Sequence, residues 1–262
     1  MVPNPNKITF LGTGTSAGVP IIACDCAACT SSDPRDKRYR CSALLMINNK
    51  AILIDATPEL RLQCLASNIR HLDACLITHA HADHIAGLDD LRRFNQVQKQ
   101  LLDVFVSDRD IEPLRKMFGY TETQCDHFLK SDWPQLKFRQ FTPGIAAFDI
   151  AGVPVDSFSQ NHGNSFSVAY RIGDIAYCSD LSCMSAAQLE AVKGVKVLVL
   201  GALRHNPHSA HLSFAEAIEL ARQIDAEYTY FIHMSHDIVH ARDNALLPKG
   251  IALAYDGLTV EF

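Results

Sequence analysis

No run of apolar residues in this 262-residue chain approaches the roughly 20 positions that a membrane-spanning helix needs, so no membrane role is expected. The opening MVPNPNKITFLG lacks a basic start followed by an apolar stretch, which argues against a secretory signal. Basic residues are not in excess: 24 Lys and Arg stand against 29 Asp and Glu, for a formal net charge of −5. Affinity for a long polyanion comes mostly from neutralising phosphates, so long nucleic acid is not an expected partner. A small anion stays within reach, because metals and a few arginines can supply the field locally. No Pro/Ser/Gly linker and no repeat divides the chain, and 48% apolar residues suffice for one large core, so residues 1–262 are read as one domain. Nine cysteines, an odd and unevenly spaced set, fit the reduced thiols of a cytoplasm better than a disulfide framework.

What is present concentrates in one stretch, LITHAHADHIAG. Ala74 to Ile77 read as a buried strand that runs into a loop carrying His79, His81, Asp83 and His84 within six residues. In an extended or loosely turning segment His79 and His81 can point the same way, while Asp83 and His84 on the following turn face a neighbouring point. Two points imply two metals. Imidazole and carboxylate ligands suit Zn, Mn or Fe, and a site poor in thiolate leaves room for water. A four-ligand cluster at a strand end is a poor way to build a core.

Further motifs lie on both sides. Lys7 to Leu11 reads as a strand, followed by GTGTSAGVP, which lacks GxxxxGK[ST]; Gly12, Gly14 and Gly18 are expected to let the backbone turn tightly near the site. Cys24, Cys26 and Cys29 form CxCxxC, dense enough to gather three thiolates around a zinc ion, with either Cys41 or His236 as the fourth ligand. The basic residues Arg35, Lys37, Arg38 and Arg40 read as a solvated face. Ser42 to Ile47 and Ala51 to Ile54 form a hairpin around Asn48 to Lys50, and Pro58 to Ala66 is helical in pattern. Asp55, which closes the second hairpin strand, could on its position alone cap that helix. Leu88 to Gln98 and Ile111 to Phe118 are amphipathic helices, and Leu136 to Phe158 holds three short apolar runs expected as successive antiparallel strands. His127 reads as a surface residue.

Downstream, His162 follows a strand in a polar loop, Asp180 follows the strand Ile175 to Cys178, and His233 follows the strand Tyr228 to Ile232. Arg204, His205, His208 and His211 crowd one loop ahead of a helix, Phe214 to Ile224, for which Ser213 is the expected N-cap. Asp256 reads as a carboxylate that could orient a ligand.

The HxHxDH string resembles the signature of the metallo-β-lactamase superfamily. That resemblance implies an α/β fold, the four-layer αββα sandwich, with metals at one edge. It also implies His79, His81, His162 and bridging Asp180 around one cation, and Asp83, His84, Asp180 and His233 around the other. Asp55 matches a residue that orients the metal histidines. An Asp at position 180, where lactam-cleaving members carry Cys, disfavours that activity.

GTGTSAGVP, CDCAAC, HLSF and HMSH together resemble the phosphodiesterase family of the carbon–phosphorus lyase pathway, over nearly the whole chain. In that family the His of HxxH completes the three-cysteine zinc site, which implies His236 rather than Cys41. In it, and in the related tRNA 3′-processing endonucleases, a His before this helix is the general acid, and His211 in AHLSF matches it. Arg204 and His208 transfer less directly as phosphate contacts. The endonucleases insert a tRNA-binding arm between the ligands matching His162 and Asp180, where only 17 residues lie here. The function implied is hydrolysis of a small, cyclic-ribose type phosphodiester at two divalent cations, Mn or Zn with the likeness leaning to Mn. Activated water would attack phosphorus in a site containing Asp83, and His211 would protonate the leaving alkoxide. A glyoxalase II-like thioester hydrolase uses the same seven ligands but lacks CxCxxC and AHLSF; a metal-bound but inactive binding protein is a third reading. A homodimer is left open.

Overall fold

In the computed structural model, which describes residues 5–262, the strands, numbered in chain order, form two seven-stranded sheets. The first runs β14 (Thr259–Glu261), β1 (Lys7–Gly12), β2 (Ser42–Ile47), β3 (Lys50–Ile54), β4 (Ala74–Leu76), β5 (Leu102–Ser107), β6 (Leu136–Phe141). The second runs β13 (Ile251–Leu253), β12 (Tyr228–Ile232), β11 (Val197–Gly201), β10 (Ile175–Cys178), β9 (Ser165–Ile172), β8 (Val153–His162), β7 (Phe148–Ile150). Eight α-helices are described: α1 (Ala27–Thr30), α2 (Leu60–Ala66), α3 (Ala82–Ile85), α4 (Arg92–Gln98), α5 (Ile111–Phe118), α6 (Ala186–Val192), α7 (Phe214–Ile224) and α8 (His240–Asn244).

Burial accounts for the layering. Ile52 and Ile54 face the other sheet with Phe10, Tyr170, Tyr177 and Val199, while Leu53 between them packs outward with Leu60, Leu91 and Phe94. On the second sheet Val197 and Val199 turn inward, and Leu198 and Leu200 pack against Phe214, Ala217 and Leu220 of α7. Strands covered on both faces read as continuous apolar runs, which is why ILI and VLVL show no alternation in sequence. Three apolar layers between four layers of elements make the αββα sandwich that the sequence implied. At roughly 25 cal/mol per Å² of apolar area buried, those layers are the main stabilising term.

The expected hairpin of β2 and β3 forms in the register Ile47↔Lys50, with Asn48 and Asn49 both at positive φ, the geometry that suits asparagine in a two-residue turn. Ser213 caps α7 and exchanges a capping box with Glu216, as its position before an apolar-periodic run required.

Two expectations are corrected. The segment 136–158 is not three successive antiparallel strands: β6 pairs in parallel with β5, and the chain then crosses to the other sheet, where β7 and β8 form an antiparallel pair. Apolar alternation specifies a strand but not its neighbour. Nor is the basic run a solvated face throughout. Arg38 is fully buried, donates to the carbonyls of Ser235 and Ile238, and pairs with Asp36 at 3.0 Å. It ties the loop after β1 to the loop after β12.

Strands β3 to β6 are mutually parallel, as are β10 to β13. Their carboxyl ends supply Asp55, the HxHxDH loop, Asp180, the Arg204 loop and His233, the end of a parallel sheet where ligands are usually held.

Candidate metal centre

The HxHxDH loop begins as β4 ends, and α3 then turns Asp83 and His84 back toward it. His79 Nε2 and His81 Nδ1 lie 2.8 Å apart. Ligand atoms of His79, His81 and His162 fall within 4.8 Å of one another; so do those of Asp83, His84 and His233, and those of His79, His84 and Asp180. Asp180 stands between the groups: Oδ1 is 3.7 Å from His84 Nε2, and Oδ2 is 3.2 Å from His233 Nε2 and 3.9 Å from His162 Nε2. All seven residues named from the sequence converge.

Orientation of these side chains comes from neighbours. His84 Nδ1 bonds Asp55 Oδ2 at 2.7 Å, and Thr78 donates its N–H and its hydroxyl to the same carboxylate, each at 2.8 Å. Asp55 is buried and does not cap α2, whose N-cap is Glu59. His162 donates from Nδ1 to the carbonyl of Ala210 at 3.0 Å, leaving Nε2 to face Asp180. Asp55 and His233 both sit in the left-handed region, at φ 61° and 59°, strain that non-glycine residues accept mainly where the surroundings over-determine them. Behind Asp180, Gly201 allows a close crossing, since a Cβ there would lie 1.6 Å from the Ser179 carbonyl oxygen.

Burial dominates the electrostatics. It pushes the pKa values of His79, His81 and His233 down, keeping them neutral and able to donate a lone pair. Burial also opposes charge on Asp180, but the imidazoles of His233, His84 and His79 outweigh it and hold the carboxyl well below the usual range. For His84 burial is likewise outweighed, by Asp55 and Asp180, and its pKa rises. His84 Nε2, Asp180 Oδ1 and both ring nitrogens of His233 are buried with no hydrogen-bond partner among the described residues. Buried polar atoms without partners are costly, and a divalent cation is the group whose chemistry suits this donor set.

His211 lies beside the cluster, its Nδ1 3.8 Å from Asp180 Oδ2 and its ring stacked on His233 at 4.7 Å. Burial lowers its pKa to about 3. His208 is exposed, 5.2 Å from His211 ring to ring. Arg204 does not present an open anion site: its guanidinium bonds the carbonyls of Asn206 and Pro207 in its own loop. Asp256 also departs from expectation, accepting from Thr13 Oγ1 and the Tyr39 N–H rather than holding a metal histidine.

A second cluster joins Cys24, Cys26, Cys29 and His236. The three sulfurs lie 3.1, 3.4 and 3.9 Å from His236 Nδ1, and the backbone N–H of Cys29 lowers the Cys26 thiol to about 7. Three sulfurs and one nitrogen in this space suit tetrahedral zinc. Cys41 is buried elsewhere, in the layer between the sheets. Sequence reading passed over Thr78, the Ala210 carbonyl and Asp110, which accepts from the Ala80 N–H at 2.9 Å; only Asp110, just ahead of a helix, carried a signal.

The fold and this site define a metallo-hydrolase class. The chain matches the family model described as "Beta-lactamase superfamily domain" over residues 50–234, and it belongs to that superfamily. Within it the chain belongs to the PhnP family, on its likeness to the crystal structure of a diphosphatase of that family: 37% identity, TM-score 0.90, 98% of each chain covered. Zinc-bound PqqB of Methylobacterium extorquens shares the fold at TM-score 0.79 and 17% identity, over 98% of this chain and 100% of that one. An octanoyltransferase of Porphyromonas gingivalis is 35% identical over 258 residues, 96% of this chain but 51% of that protein, so the chain spans about half of that relative's length. The fold implies divalent-metal binding. No helix among the described residues is long and apolar enough to cross a membrane.

Proposed function

We propose that the chain is a dinuclear metal-dependent phosphodiesterase acting on a small phosphodiester. His79, His81, His162 and Asp180 would hold one divalent cation, and Asp83, His84, Asp180 and His233 the other. Cys24, Cys26, Cys29 and His236 would hold a zinc ion that pins the loop after β1 to the His233 loop. The single observation carrying this reading is the set of buried atoms on His84, Asp180 and His233 that have no hydrogen-bond partner among the described residues. When bound, the pair of cations acidifies water and neutralises phosphoryl charge.

The protein's own groups do the rest. Asp55, Thr78 and the Ala210 carbonyl fix the ring orientations of His84, His79 and His162, so donor atoms need no rearrangement on loading. The walls around Asp180 exclude bulk water, which strengthens every charge interaction inside. His211 donates a proton to the leaving alkoxide. The negative charge of a bound diester favours the protonated imidazole, against the burial that keeps the free side chain neutral.

A comparison of His211→Ala on an aryl diester and an alkyl diester tests the acid. The expected loss is roughly a hundredfold or more on the alkyl ester, whose leaving group needs protonation, and small on the aryl ester. Equal losses, or none, would sink it. Elemental analysis of the purified protein, coupled to a screen of cyclic and linear phosphodiesters beside a glutathione thioester, tests the whole reading. Two divalent ions plus one zinc per chain and diester turnover are expected; turnover of the thioester alone would favour glyoxalase II-like chemistry.

A further inference from the structure

Helices α2 and α4 lie on the outer face of the first sheet, where Leu60 and Phe94 pack in one layer with Leu53. Between them and the turn after α2 is a cavity of about 470 Å³, a size usual for small-molecule sites. None of the proposed metal ligands lines it. Arg61 and Leu65 stand four positions apart on α2, as do Arg93 and Val97 on α4, so each short helix turns a basic and an apolar side chain to the same wall. Arg70, from the turn, adds a third guanidinium.

Charge in this cavity is unbalanced. Three guanidinium groups face one carboxylate, Asp90, so +3 and −1 leave +2 in a chain whose net charge is −5. Arg70 Nε donates to Asn68 Oδ1 at 2.8 Å and Arg93 Nη1 to Gln96 Oε1 at 3.2 Å, both neutral acceptors, while Arg61 acts on Asp90 only at longer range than an ion pair. The apolar part is equally unfinished: Leu65 and Val97 are 65% and 54% exposed over a floor that includes Phe94 and Cys64. Burial pushes the Cys64 thiol up to about 12, so it stays an uncharged part of that floor.

One class of ligand answers both deficits. A small polar anion would leave the apolar floor bare, and a neutral hydrocarbon would leave the guanidinium charge unmet. A second copy meeting it across a twofold axis would set a +2 rim against itself. We infer that the groove between α2 and α4 is a binding site for a single-tailed amphipathic anion, of which a fatty-acid carboxylate is the simplest. Its charged head pairs with the arginines, and its tail covers Leu65, Phe94 and Val97. The site is separate from the metal centre and stands whether or not the chain cleaves phosphodiesters.

Calorimetry on the metal-loaded protein with decanoate, decanol and acetate tests it. Decanoate should saturate one site per chain, roughly tenfold or more tighter than decanol, which has the tail without the charge. Acetate, which has the charge without the tail, should give no saturable heat. The triple variant Arg61→Ala, Arg70→Ala, Arg93→Ala should lose the preference for decanoate over decanol. Leu65→Glu, which sets a carboxylate on the apolar wall, should weaken decanoate roughly tenfold or more. All four side chains are exposed, so both variants should unfold at the wild-type temperature. Decanoate held at the metal centre instead would bind both variants as it binds the wild type, and that result would overturn the inference. So would equal affinity for decanoate and decanol, or no saturable binding. Sedimentation of wild type and Leu65→Glu reads the other occupant: the two should sediment alike, and a wild-type dimer that the variant splits would put a second copy in the groove and refute the ligand site.

Discussion

Replacing Asp55 separates orientation of the metal site from support of the fold. The carboxylate is fully buried and accepts three hydrogen bonds, from the Thr78 N–H, the Thr78 hydroxyl and His84 Nδ1. Asp55→Ala leaves those three donors unpaired, at about 1–3 kcal/mol each, so up to about 3–9 kcal/mol of stability is at stake where no water replaces the carboxylate. Asp55→Asn keeps an acceptor for Thr78 but removes the charge that fixes the His84 proton on Nδ1. Its expected effect is a loss of about 10–100-fold in metal affinity, about 1.4–2.7 kcal/mol, with a smaller change in unfolding free energy. The assay is chelator competition for metal in wild type and variant, beside urea unfolding of both after metal removal. Metal affinity within twofold of wild type in Asp55→Asn, with stability clearly reduced, would refute the orienting role and leave Asp55 a structural residue.

Other perturbations follow the same physics. Gly201→Ala would push a Cβ into the Ser179 carbonyl, so about 3 kcal/mol or more of destabilisation is expected in urea unfolding, with loss of diester turnover because Asp180 is next in the chain. Asp256 has its pKa raised to about 7 by burial. The protonated form is the one the fold favours, so this contribution is full below about pH 4 and is lost as pH rises through about 7, at most about 4 kcal/mol and less for any solvent-touching part. Asp256→Asn should therefore flatten the difference in melting temperature between pH 4.5 and 7.5; an unchanged slope would count against it. Arg38→Ala strands Asp36 and two carbonyls, and should cost about 3–5 kcal/mol in unfolding while loosening the Cys cluster, read as faster zinc loss to a chelator.

Most of the metal centre was legible because its chemistry needs particular residue types at fixed places in the chain. HxHxDH names four ligands by their spacing, while His162, Asp180 and His233, each at or after the end of a strand, were picked out by resemblance to the metallo-β-lactamase superfamily. Partners across the chain were not legible. Arg38 looked like its solvated neighbours, because nothing local says that Ser235 and Ile238 will receive it. The first apolar run within Leu136 to Phe158 is a strand, but it pairs in parallel with β5 of its own sheet rather than with the next run, which lies in the other sheet.

Local determinants, then, came from the chain itself: which segments are strands and helices, where they are capped, and which side chains can ligate a cation. Those follow from φ/ψ preferences, apolar period and donor atoms, all properties of neighbouring residues. Tertiary structure decided which of Cys41 and His236 joins the three cysteines and which carboxylate faces His84. These depend on distances between residues remote in sequence, and such distances exist only once both sheets have packed.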